Sequence, residues 1–90
     1  MQVAKFIVFS GNVQGIGFRY TAHRIAVRYN LTGYVRNTSD DKVELFLQGH
    51  PDDISDCLAD INETFARYIK NTDVEDAAFD PEHDSFMIRM

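Results

Sequence analysis

The chain has 90 residues, 44% of them hydrophobic and 26% charged, with a formal net charge of −5. That length suits one domain, residues 1–90, with a single two-layer core and no room for a substrate lid, and the composition is that of a globular protein rather than a disordered one. The acidic balance argues against a general nucleic-acid surface or a polybasic membrane patch, and the lone Cys57 excludes an internal disulfide.

Val3 to Ser10 reads as a strand apolar on both sides, which suits the middle of a sheet covered by helices. Lys5 interrupts this first apolar run, so no segment approaches the roughly 20 apolar residues of a bilayer span. No basic-then-apolar leader opens the chain, and the expectation is a monomer resident in the cytoplasm, bound to no membrane.

Directly after the strand comes Gly11-Asn12-Val13-Gln14-Gly15-Ile16-Gly17-Phe18-Arg19. Glycines let successive main-chain N–H groups turn toward one oxyanion, and a helix start adds unpaired donors at the positive end of its dipole. Arg19 adds a planar guanidinium that holds two phosphate oxygens at once. The stretch is therefore a candidate phosphate cradle; taken alone, it reads more readily as an ordinary glycine-rich turn beside a surface arginine, and the rest of the chain has to decide.

From Phe18 the spacing is helical, with Phe18, Ala22, Ile25, Ala26 and Tyr29 on one face, Arg24 and Arg28 on the other, and Asn30 at the end. Gly33, Val35 and Asn37 then alternate with Tyr34 and Arg36. After the polar turn Thr38 to Lys42, Val43, Leu45 and Leu47 alternate with Glu44, Phe46 and Gln48, which predicts a hairpin. Gly49-His50-Pro51 opens a second helix, with Asp52 and Asp53 at its positive end and a buried stripe of Ile54, Cys57, Leu58, Ile61 and Phe65. Strands are expected around Val74 to Phe79 and at Ser85 to Met90, joined by the turn Asp80 to Asp84. The order is that of an α+β, ferredoxin-like βαββαβ sandwich plus a final short strand: an antiparallel sheet of four to five strands with two helices on one face.

The chain resembles the acylphosphatases, small enzymes that hydrolyse the carboxyl–phosphate bond of acyl phosphates. The resemblance lies in Gly11-x-Val13-Gln14-Gly15-Ile16-x-Phe18-Arg19, then Gly33-Tyr34-Val35-Arg36-Asn37 with Val43 and Gly49 following. The ending, Phe79, Pro81-Glu82 and Ser85 to Arg89, is also similar. Departures are few: Ile16 and Phe9 replace other apolar residues, Ser10 and Asn12 flank the first glycine, and Asp41 stands where the family's turn carries glycine. The resemblance implies that Arg19 anchors the phosphate, that Gly11 to Arg19 form the phosphate-binding loop, and that Asn37 holds the attacking water. It also implies a small-molecule acyl phosphate as substrate, with inorganic phosphate or sulfate as a product-like ligand.

Chemistry agrees with that assignment. An amide cannot remove a proton, but it can fix one water and align it with phosphorus opposite the leaving group. No histidine or carboxylate lies in the loop or beside Asn37 in its strand, so the substrate must be easy to cleave. An acyl phosphate expels a carboxylate whose conjugate acid has a pKa of roughly 4, which departs without being protonated. A phosphate monoester expels an alkoxide and needs more help.

His23, His50 and His83 lack the paired spacing of a zinc site, so neither a metal nor another cofactor is expected. His23 and Cys57 read as structural residues, and Phe18, Tyr20 and Tyr34 as core or sheet packing before an acyl pocket. A second reading is a non-catalytic, anion- or ligand-binding regulatory module on the same fold. It would keep Gly11, Gly15 and Arg19 but need no water-holding Asn37.

Overall fold

A computed structural model describes residues 1–90. Alternation along β1 (Val3–Gly11) sends Ile7 and Phe9 into the core beneath the helices, and Phe6 and Val8 to the opposite face of the sheet. β2 (Thr32–Asn37) and β3 (Val43–Gly49) form the expected hairpin; Val35, Val43, Leu45 and Leu47 are fully buried on the helix side. The turn between them places Asp41 at φ 67°, the left-handed conformation for which the missing glycine would be the ordinary choice.

The helices form where the apolar spacing puts them. α1 (Phe18–Arg28) buries Phe18, Ala22, Ile25 and Ala26, and α2 (Pro51–Thr64) buries Ile54, Cys57 and Ile61, with Phe65 just beyond its end. Each large apolar side chain so buried contributes about 1.5–3 kcal/mol. The helices are tied to each other by the Tyr29 hydroxyl, which donates to Asp60 Oδ2 at 2.5 Å.

The sheet has the order β4-β1-β3-β2-β5. Neighbours among its first four strands are antiparallel, and β5 (Phe86–Arg89) joins β2 in parallel at the far edge, so the complete sheet is mixed. The direction follows from connectivity. β4 runs opposite to β2, and the turn after Asp80 reverses the chain, which then lies alongside β2 in the same sense. β4 (Ile69–Ala77) also starts earlier than the expected Val74 and stops before Phe79. As an edge strand it leaves Lys70, Asn71, Asp73 and Glu75 exposed, so no alternation marks its beginning.

Because β4 and β5 occupy opposite edges, the segment between them crosses the sheet face that carries no helix. Gln48 fastens it midway. This residue is 1% exposed; its Nε2 donates to the Asp80 carbonyl at 2.9 Å and to Thr32 Oγ1 at 3.1 Å, and its Oε1 accepts the Asp80 N–H at 2.6 Å.

Candidate active site

The loop between β1 and α1 is held at both ends by the core. Val13 is fully buried, and the Phe18 ring stacks on Phe65 at a centroid distance of 4.5 Å and lies 5.1 Å from Phe9. Gly11 marks the entry: a Cβ there would overlap the Tyr68 carbonyl oxygen, which accepts the Asn12 N–H at 2.9 Å. Between these anchors Gly15 and Gly17 both have φ 78°, a conformation that costs a residue with a side chain roughly 1–2 kcal/mol.

The loop's main-chain donors are free. None of the N–H groups of Val13 to Gly17 donates to a carbonyl of the chain. Gly17 caps α1 without a side-chain acceptor, and no acidic residue occupies the first turn of that helix. By contrast, α2 carries Asp52 and Asp53 in its own first turn. The start of α1 thus presents uncompensated donors and a positive dipole end.

Arg19 projects from this first turn. Its Nη1 donates to the Arg89 carbonyl at 3.3 Å, and no carboxylate pairs with it. Asn37 ends β2, two residues beyond the buried Val35, so the pleat turns both to the helix side of the sheet. The outcome is one cavity of about 100 Å³ whose lining includes Val13, Gly15, Gly17, Arg19, Tyr20 and Asn37. Loop and strand residues remote in sequence therefore converge.

The remaining loop residues do other work. The Gln14 side chain turns away from this cavity and donates from Nε2 to the carbonyls of Thr38 (2.9 Å) and Lys42 (2.8 Å). It bolts the glycine loop to the β2–β3 turn, immediately beside Asn37. Gly11, Asn12 and Gln14 border a separate opening with Asp41. The tie was not readable from sequence, because glutamine in a glycine-rich loop gives no sign of which distant carbonyls it will reach.

Of the three aromatics considered, Phe18 belongs to the core. Tyr20 is 67% exposed at the cavity rim, and Tyr34 lies on the other face of the sheet. His23 packs its ring against Phe86 at 5.7 Å. Burial, reinforced by the Asp60 charge, pushes the Cys57 thiol up to about 12, the state of an inert core residue.

Comparison with known proteins gives the family and the fold. The model of the acylphosphatase family matches residues 5–88. An acylphosphatase of Solibacter usitatus is 40% identical over 81 residues, covering 88% of this chain and 82% of the relative. One of Alcanivorax borkumensis is 48% identical over 54 residues, which is 60% of this chain and only 59% of that relative's length. Among solved structures, an acylphosphatase from Coxiella burnetii superposes with a TM-score of 0.85 at 28% identity, over 98% of this chain and 93% of the other.

Proposed function

The chain belongs to the acylphosphatase family, and we propose that it hydrolyses the carboxyl–phosphate anhydride of small acyl phosphates to a carboxylate and inorganic phosphate, with Arg19 and Asn37 as its catalytic side chains. In this reading the free N–H groups of Val13 to Gly17 and the Arg19 guanidinium bind the phosphoryl oxygens, while Gly11 and Asn12, whose N–H is spent on the Tyr68 carbonyl, only shape the entry to the loop. Charge gathering on those oxygens in the transition state meets donors already in place, and such preorganisation is worth several kcal/mol. The Asn37 carboxamide holds a water in line with phosphorus, opposite the departing carboxylate. The carboxylate leaves unprotonated, so the reaction needs no acid.

The observation that carries the reading is the shared cavity: the free donors of the loop, an arginine with no acidic partner and a strand-end carboxamide all border one small space. The protein acts in this proposal as one domain, a monomer of the cytoplasm; no helix is long and apolar enough to cross a membrane.

The test is colorimetric hydrolysis of an aryl acyl phosphate in the presence of a metal chelator, with the Asn37→Ala protein beside the parent. Turnover by the parent, and its loss with retained phosphate binding in the variant, is the expected pattern. A parent that binds phosphate yet leaves the acyl phosphate intact would make the protein an anion-binding module instead.

A further inference from the structure

A further cavity, about 500 Å³, lies on the helix-free face of the sheet, away from the loop between β1 and α1. Strand register builds its floor. Phe6 of β1 stands opposite Phe46 of β3, and Phe46 opposite Tyr34 of β2, so three rings run side by side across the sheet. The β4–β5 segment supplies the wall: His83 packs at 5.3 Å from Phe46 and 5.9 Å from Tyr34, and Phe79 borders the opening while remaining 44% exposed.

The polar groups around this groove are already committed. The Tyr34 hydroxyl donates to Glu44 Oε2 at 2.7 Å, Glu44 receives Arg36 at two positions of 2.9 Å, and both ends of the Gln48 amide are used in fastening the segment. No buried side-chain nitrogen or oxygen lacks a partner. A ligand that depends on directional hydrogen bonds finds few partners here. A ligand that needs only aromatic faces and nearby carboxylates finds both. Register places Glu75 beside Phe6 and Asp73 beside Val8 on the same face, and Asp80 lines the groove itself, its carboxylate shared with His83 at 3.6 Å and the Glu82 N–H at 3.0 Å. The Arg89 guanidinium, 4.0 Å above Tyr34, shows that a ring of this row takes a cation on its face and leaves Phe6, Phe46 and Phe79 to a ligand.

We propose that this groove binds a small methylated ammonium cation, held by cation–π contact with the ring row and by the carboxylates at its rim. Such a cation has no N–H to satisfy and a methylated shell that suits apolar walls. Single-stranded nucleic acid, the other common guest of an aromatic sheet face, would bring phosphates against those carboxylates and a net charge of −5.

The probe is choline, titrated into the whole protein while the ring resonances of Phe6, Phe46, Tyr34 and Phe79 are followed by NMR, with dimethylbutanol as its uncharged carbon isostere. Saturable shifts at millimolar choline, with the isostere about fivefold weaker, are expected for a site that reads charge through ring faces. Phe79→Ala, at an exposed position, should weaken choline several-fold. Glu75→Gln, on an exposed edge strand, should weaken it about twofold to threefold through the lost rim charge. Acyl phosphate hydrolysis should be unchanged in both variants. Equal shifts by choline and its isostere would mean a merely apolar groove and overturn the proposal. So would an absence of shifts, or full choline binding by folded Phe79→Ala and Glu75→Gln proteins.

Discussion

Gln14→Ala separates the architecture of the site from its chemistry. The side chain lies outside the cavity, yet its two bonds are the only side-chain link from the glycine loop to the turn beside Asn37. Their loss is unequal. The Lys42 carbonyl keeps the Thr38 N–H at 2.9 Å and the Thr38 hydroxyl at 3.2 Å, whereas no other donor replaces Gln14 at the Thr38 carbonyl. At about 1 kcal/mol for each part-buried bond, with one acceptor still satisfied, the expected destabilisation is about 1–2 kcal/mol. In a domain of this size that lowers the Tm by roughly 5–15 °C. The loop is still pinned by Val13 and Phe18, so its N–H groups keep their mutual geometry and phosphate binds about as before. What slackens is the spacing between that loop and Asn37, so kcat should fall more than phosphate affinity, by about tenfold if the water moves by a fraction of an ångström. Urea denaturation, phosphate inhibition and steady-state hydrolysis of an aryl acyl phosphate measure the three quantities. An unchanged denaturation midpoint together with unchanged kcat would refute the argument that this glutamine sets the distance between the two halves of the site.

Arg19→Ala should lose phosphate affinity and turnover together, while Asn37→Ala should fold, bind phosphate and lose turnover by about 100-fold or more, read from product inhibition and kcat. Asp41→Gly should stabilise the protein by about 0.5 kcal/mol in urea denaturation, because φ 67° is free of strain only for glycine. The Cys57 thiol, pushed up to about 12, should resist a disulfide reagent at pH 8 until the protein unfolds, whereas labelling at the rate of a free thiol would show that α2 opens readily. Burial alone would raise the Glu44 carboxyl, but hydrogen bonds from Arg36 and Tyr34 hold it below its ordinary value. Its contribution to stability is therefore present above the ordinary glutamate range and lost as pH falls through the lowered value in the folded protein. The gap in urea midpoint between the parent and Glu44→Gln should accordingly close on acidification from pH 6 to pH 3.

Local patterns carried much of this molecule in its sequence. The apolar stripes of both helices, the β2–β3 hairpin and the glycine-rich loop between β1 and α1 were legible because each is fixed by neighbours a few positions away. The parity of Val35 and Asn37 already put the carboxamide on the helix side. What stayed hidden depends on contacts between remote segments. Gln48 reads as one more polar residue on an outward face, and only the crossing of the β4–β5 segment makes it a buried fastener. The early start of β4 is masked by the polar side chains of an edge strand. The partner of β5 is fixed by where the chain lands after crossing the sheet, which no periodicity encodes. Gln14 lay inside the motif, but the direction of its side chain was set by two carbonyls in another turn.

The size of the cradle has a metabolic corollary. A recess of about 100 Å³, closed on one side by the core through Val13 and open past Tyr20, accommodates a phosphoryl group and little else. Whatever acid is joined to that phosphoryl group remains outside in water, where the protein has few means of recognising it. If the proposed function holds, selectivity among such anhydrides would fall to their own reactivity and abundance, and the protein would act as a broad scavenger of activated acids rather than as a dedicated step for one of them.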